Sequence, residues 1–205
     1  LWLKADAGVL PSVNDQTISS WVDQSGANTF TVNGVTFKSD ILNFNPMVDF
    51  NGSTNWLAGN TPITFQTLYA VMIRNTTGDA GTLMSVSGPS TNPPGNIGYM
   101  MKGDKMWTGN NLDNPNLVYM ESAGSLGNNK VRIATLEIQN GPASNSKSFI
   151  DGAPFPMSQF LGQGSTMGPF SFTPYIGRAQ SVTDYFDGQV AELIMYPASH
   201  TDAER

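Results

Sequence analysis

The chain has 205 residues, of which only 13% are charged, with a net charge of −6 and a pI near 4.5. Its ten Lys and Arg are scattered rather than clustered, which excludes the basic patch that nucleic acid requires. The absence of cysteine excludes disulfides, thiolate zinc sites and cysteine nucleophiles, and no apolar run approaches the ~18–20 residues of a membrane span.

Asn, Ser, Thr and Gly occupy the polar positions that charges usually take. That composition suits short strands joined by turns and is frequent in secreted proteins. Sandwiches of ~200–250 residues commonly form one domain, so one domain over residues 1–205 is expected. The chain lacks an initiator Met and ends on TDAER, which reads as the opening turn of a helix. The expectation is a domain excised from a larger secreted or cell-surface protein, with that protein's other domains as partners.

In chain order, Leu1–Lys4 (LWLK) is a short strand and Thr17–Val22 a second extended run, closed by the turn Asp23-Gln24-Ser25-Gly26. In TFTV-NG-VTFK two alternating runs flank Asn33-Gly34, which predicts a type I′ hairpin. Strands follow at Met47–Phe50 and from Asn55. Gln66–Arg74 (QTLYAVMIR) is apolar on both alternating registers, which predicts a central strand. Ile97–Trp107 reads as a hairpin around a four-residue loop, Lys102–Lys105. Leu117–Glu121 and Lys130–Gln139 are strands, the latter with its register open between Val131/Ile133/Thr135 and Arg132/Ala134/Leu136. Asp151-Gly152 marks another hairpin. Phe155–Phe172, rich in Gly, Pro, Phe and Gln, shows no period and reads as a long surface loop or edge region. Tyr185–Tyr196 (YFDGQVAELIMY) reads as the central strand, buried on both faces, with Glu192 as its one internal acid. About twelve or more short strands with frequent turns and no amphipathic helix predict an all-β, two-sheet antiparallel jelly-roll sandwich.

Several of these stretches together resemble bacterial laminin-G-like domains of the concanavalin A-like lectin/glucanase superfamily. They are LWLKADAGV at Leu1–Val9, W-x-D-x-S-G at Trp21–Gly26, N-P-x-V-x-F-x-G at Asn45–Gly52, I-G-R at Ile176–Arg178, and FDGQVAELIMY at Phe186–Tyr196, set against the family's closing F-x-G-x-I-A-E-I-I-x-Y. The resemblance implies a concanavalin A-like jelly roll whose closing strand pairs with the N-terminal one. It also implies a place in a large adhesin or polysaccharide-processing protein. Trp2, Trp21 and Trp56 fall in these motifs and are expected in the core, and Arg178 is expected to pair with an acid.

Glucanases of that superfamily carry their acids on one strand as E-x-D-x-E or E-x-D-x-x-E, so that two carboxyls face the same bond. The four glutamates here, Glu121, Glu137, Glu192 and Glu204, begin no such pattern. His200 is the only histidine and reads as a solvated or capping residue. A non-enzymatic role is therefore expected. For sugar binding, the Asn96–Asn111 hairpin and its neighbour supply aromatic, charged and amide groups: Tyr99, Lys102, Asp104, Trp107 and Tyr119. The resemblance also implies one calcium ion, with Asp23, Asn28 and Glu192 as ligands, although Ala191 stands where calcium-binding relatives carry Asp. The alternative is that Asp23 caps its own turn and Glu192 takes hydrogen bonds. The functional expectation is a non-catalytic extracellular module for glycans or cell-surface ligands. A structural spacer is the alternative, and a glycan-degrading hydrolase or lyase a third.

Overall fold

Asp187–Tyr196 lies inside an eight-stranded sheet. The computed structural model describes residues 1–26, 28–75, 81–91, 94–97, 101–110, 118–162, 166–179 and 184–205. Along one edge the strand pairs with Thr67–Arg74. The other edge is shared: its first half takes Asn45–Asn51 and its second half takes Trp2–Lys4, both antiparallel. The Met195 and Ala5 amides donate to the Leu1 and Ala191 carbonyls, so the beginning of the chain is stitched to its last strand as predicted. Val131–Glu137, Lys147–Ile150 and Ala153–Pro154 extend the sheet on one side, and Thr36–Leu42 ends it on the other.

The expectation of two buried faces is corrected. Val190, Leu193 and Met195 are buried, while Ala191, Glu192 and Ile194 are half-buried and Tyr196 is exposed. Val190 lies opposite Met72 and Glu192 opposite Val71, so Ala191 is an extra residue, a β-bulge. The bulge advances the inside/outside alternation by one step. A strand with one buried face therefore reads as apolar on both registers. Thr67–Arg74 has no bulge against this partner beyond that point. Its Leu68, Ala70 and Met72 point inward, and Tyr69, Val71 and Ile73 form a half-buried outer row. Beside it Ala134 and Leu136 are buried and Val131 and Ile133 exposed, which settles that strand's register.

The second layer contains a six-stranded sheet and a four-stranded sheet. The first joins Phe30–Asn33, Trp56–Gly59, Phe170–Ile176, Met84–Thr91 and Pro94–Ile97, with Ile63–Phe65 also on Phe170–Ile176. The second joins Met101–Lys102, Lys105–Asn110, Val118–Ser122 and Met157–Gly162. Leu57, Met84 and Ile176 from the one, and Met106, Val118 and Met120 from the other, enter the same core as Leu3, Phe50, Leu68, Met72, Val190 and Leu193. The fold is thus the predicted antiparallel sandwich.

Three turns and loops sort differently. Phe30–Asn33 pairs with Trp56–Gly59, whereas Thr36–Leu42 pairs with Asn45–Asn51 in the other layer. Asn33-Gly34 is therefore a crossing between layers, not a hairpin. Gly34 takes the positive φ of 70° and Val35 drops fully buried into the core, a burial that hairpin pairing would not give it. Asp151 and Gly152 both have positive φ, 54° and 80°, as a type I′ turn needs, and they do close a hairpin. Lys102 pairs with Lys105, which shortens the expected four-residue loop to Gly103-Asp104. Phe155–Phe172 is largely strand, at Met157–Gly162, Thr166–Met167 and the start of Phe170–Ile176. Its order comes from partner strands Val118–Ser122 and Ile63–Phe65 rather than from its own residue pattern.

Deleting Ala191 removes the extra residue and leaves plain alternation, so the variant is expected to melt cooperatively near the parent. Leu193→Ala leaves a core cavity and is expected to cost about 2–5 kcal/mol in urea denaturation. A ΔAla191 chain that fails to fold would show that the bulge does more than set the phase.

Candidate functional site

Lys105–Asn110 and Val118–Ser122 place Trp107 opposite Glu121 and Gly109 opposite Tyr119. Met106, Val118 and Met120 face the core, so Trp107, Gly109, Tyr119 and Glu121 share the outer face. The Tyr119 ring lies across Gly109: a Cβ there would sit 2.1 Å from Tyr119 Cδ1. The missing side chain lets Tyr119 stack on Trp107, with ring centroids 4.6 Å apart and planes 26° apart. Trp107 is buried in a small cluster with Ala179, apart from the main core, and Tyr119 lies half-exposed against it. Burial raises the Tyr119 phenol pKa. Lys105 pairs with Glu121 on this face. Asp104 sits at the hairpin tip, where its carbonyl accepts the Leu126 amide. Of the predicted sugar-binding residues, the structure brings Trp107 and Tyr119 together. Tyr99 lies outside the described residues, and of Lys102 only the backbone is described.

A second aromatic group escaped sequence reasoning. Leu57 and Ile176 are fully buried and paired, and their half-buried neighbours Ala58 and Tyr175 pair as well, which puts Trp56 and Tyr175 on the outer face. Their centroids are 6.2 Å apart. The Arg178 guanidinium carbon lies 4.2 Å from the Trp56 ring centroid and 4.7 Å from that of Tyr175. Gly177 makes this possible. Its φ is 84°, and a Cβ would lie 2.3 Å from Phe50 Cδ1, so glycine alone turns the chain here against the core. Trp56 is thus half-buried on the outer face rather than in the core, and among the described residues Arg178 meets two rings in place of the expected acid. Alternation within Trp56-Leu57 and Tyr175-Ile176 was the available signal, since each pair must split between core and surface. Ala179, next to Arg178, packs on Trp107 and connects the two aromatic groups.

The candidate metal ligands are engaged by hydrogen-bond donors. Asp23 is 2% exposed. Its Oδ1 accepts the Trp2 amide at 2.8 Å, the Ser25 amide at 2.9 Å and the Ser25 hydroxyl at 2.7 Å, and its Oδ2 accepts the Asn28 amide at 3.1 Å. Asn28 Oδ1 accepts the Thr61 amide at 3.3 Å. Glu192 Oε1 accepts the Trp2 indole N–H at 2.6 Å on the outer face. Trp2 is 40% exposed, so the expectation that it fills the core is also corrected; Trp21, at 1%, is in the core as expected. Asp23, Asn28 and Glu192 thus hold a turn and the first strand. No group of three or more His, Asp or Glu among the described residues is arranged to hold a metal, and the Asp23, Asn28 and Glu192 oxygens named above already accept hydrogen bonds.

His200 is likewise not a simple solvated residue. Its Nδ1 is 2.8 Å from the Tyr69 hydroxyl, and its ring lies 4.4 Å from that of Tyr196. Burial, followed by the Glu137 carboxylate, raises the Tyr69 pKa. Glu137 is itself fully buried and accepts Arg205 Nε at 2.8 Å. A cavity of about 550 Å³ opens beside Phe149, Met157, Asp202 and Arg205, and both its cations are engaged, Arg205 by Glu137 and Asp202 and Lys147 by Asp202.

No family model matches the chain, and no curated protein sequence matches it. Solved structures do resemble it. Domain 4 of an extracellular GH43 arabinanase from Geobacillus stearothermophilus, in complex with arabinotriose, matches with a TM-score of 0.60 and 13% identity over 89% of each chain. Trypanosoma rangeli sialidase in complex with the inhibitor DANA matches with a TM-score of 0.59 and 14% identity, over 99% of this chain and 31% of the sialidase. This chain therefore spans under a third of the sialidase's length. The same sialidase with 2,3-difluorosialic acid gives 0.60 and 16%. These likenesses show the β-sandwich fold, in step with the two layers described above.

Burial works to raise the Asp23 pKa, but bonds from Ser25 and Trp2 outweigh it and hold the carboxyl below its ordinary 3.8. A depressed folded-state pKa contributes stability that is present above the unfolded value and lost as pH falls through the folded one. Asp23→Asn is expected to cost about 1–3 kcal/mol at pH 7, with the difference from the parent narrowing below about pH 4, as read by urea denaturation. Added calcium or EDTA is expected to leave the melting temperature of the parent unchanged. A calcium-dependent rise would overturn the hydrogen-bonded role of this cluster.

Proposed function

We propose that this protein is a non-catalytic glycan-binding module that uses the outer face of its second layer. The observation that carries the reading is the aromatic surface there, Tyr119 backed by the buried Trp107, and Tyr175 beside Trp56. Flat apolar ring faces flanked by a few polar groups suit the alternating CH faces and hydroxyls of sugars. The matched arabinanase domain, solved with arabinotriose, supports a sugar ligand for this architecture. The laminin-G-like motifs at both ends of the chain support a concanavalin A-like module with a role within a larger extracellular or cell-surface protein. Among the described residues no helix is long and apolar enough to cross a membrane.

The non-catalytic part of the reading rests on the glutamates. Glu121 is paired with Lys105, Glu137 with Arg205, Glu192 with the Trp2 indole and Glu204 with Thr201. Glycosidases instead set two carboxyls across one scissile bond.

Glycan-array screening followed by calorimetry on the best ligand tests the reading. Tyr119→Ala is expected to weaken binding about tenfold, the loss typical of one anchoring aromatic. Gly109→Ala is expected to do the same without touching the ligand, because its methyl displaces the Tyr119 ring. A blank array would favour a spacer role. Reducing ends released from a bound polysaccharide would favour a hydrolase.

A further inference from the structure

We infer that Arg178 is the charged anchor of this face and that the glycan it selects carries a carboxylate, as in uronic or other acidic sugars. The inference rests on the glycan-binding reading and narrows its ligand class. Four arginines occur in the chain. Arg132 pairs with Asp151, Arg205 pairs with Glu137 and Asp202, and Arg74 donates to Asn128. Arg178 has no carboxylate or carbonyl acceptor for its guanidinium among the described residues, and its Nε is buried without a partner. In a chain of net charge −6, acids are available to pair with cations, so an arginine with no acidic partner among the described residues is a departure that asks for a ligand.

The surroundings fix how that ligand would be met. Trp56 and Tyr175 flank the guanidinium at 4.2 and 4.7 Å from their centroids, which holds its plane, so that a ligand would be met by its N–H groups. The backbone beneath is held as well. The buried Ser85 hydroxyl donates to the Arg178 carbonyl at 3.0 Å, and the Gly177 amide donates to the Leu83 carbonyl at 2.7 Å. A guanidinium pre-oriented in this way matches a planar carboxylate through two parallel hydrogen bonds and gains little from a neutral hydroxyl. Ring faces on Trp56, Tyr175 and Tyr119 would then take the apolar sides of the acidic residue and its neighbours. Arg178 binds here and transfers nothing, so no reaction step is involved.

The test is a binding panel of oligogalacturonate, the same oligomer after carboxyl reduction, a sulfated dextran and a set of neutral and sialylated oligosaccharides. It is run on the parent, Arg178→Gln and Arg178→Lys, with melting temperatures confirming that each variant is folded. Expected is a preference for carboxylate-bearing glycans that Arg178→Gln reduces about tenfold to a hundredfold and Arg178→Lys restores only in part, since lysine keeps the charge but not the planar stacked fork. Residual binding of the same glycans through the aromatic rings should survive in Arg178→Gln. Binding of neutral glycans alone, unchanged by Arg178→Gln, would overturn this inference and leave the glycan-binding reading intact. Preference for the sulfated polymer alone would overturn the carboxylate assignment. Binding of nothing on the panel would overturn both readings.

Discussion

The whole sandwich depends on how one extra residue is absorbed in the Asp187–Tyr196 strand. This strand pairs with three others and has its apolar side chains in the centre of the core. Without the Ala191 bulge, Val190 and Leu193 would face opposite sides of the sheet, and one of them would leave the core. With it, both point inward, and Glu192 is directed outward to the Trp2 indole instead of being buried. The same device therefore keeps the core apolar and relieves the one acid in the strand of desolvation. It also fixes the first strand: Trp2 is tied by its indole to Glu192 and by its amide to Asp23, so the two ends of the chain are joined through one residue.

Around that frame the second layer does the presenting. Each strand there must send alternate residues into the core, and Leu57, Ile176, Met106 and Met120 satisfy that demand. The residues between them, Trp56, Tyr175, Trp107 and Tyr119, are turned away from that core; Trp107 is covered by Tyr119 and Ala179, and the other three stay half-buried. Two glycines then shape them. Gly109 gives Tyr119 room to lie flat, and Gly177 turns the backbone so that Arg178 reaches back over Trp56 and Tyr175. The aromatic face is thus a by-product of core packing, refined by two positions where a methyl group would not fit.

Much of this could be read from the chain alone. Alternation and turn chemistry were enough for the two-layer antiparallel class, for the central place of Thr67–Arg74 and Asp187–Tyr196, and for the Asp151-Gly152 hairpin. Trp107 and Tyr119 were legible as candidates because they flank a recognisable hairpin. Trp56 and Arg178 were not. Trp56 sits in a motif that suggested core, and its face depends on which neighbour the sheet pulls inward. Arg178 was expected to meet an acid because its stacking partners are 122 and 3 residues away, and the former is invisible to local reading.

What the sequence by itself determined is the fold class and the order of its principal strands, because period-two patterning and local turn preferences are properties of neighbouring residues. What only the tertiary structure decided is phase, partner and exposure. Whether Asn33-Gly34 folds back or crosses between layers depends on where Val35 is buried. Whether the apolar run at 190–195 has one buried face or two depends on a bulge set by pairing with Met72 and Val71. Whether Arg178 meets an acid or a pair of rings depends on which groups distant strands bring beside it. Each of these turns on free energies between residues far apart in the chain, and such terms have no local signature.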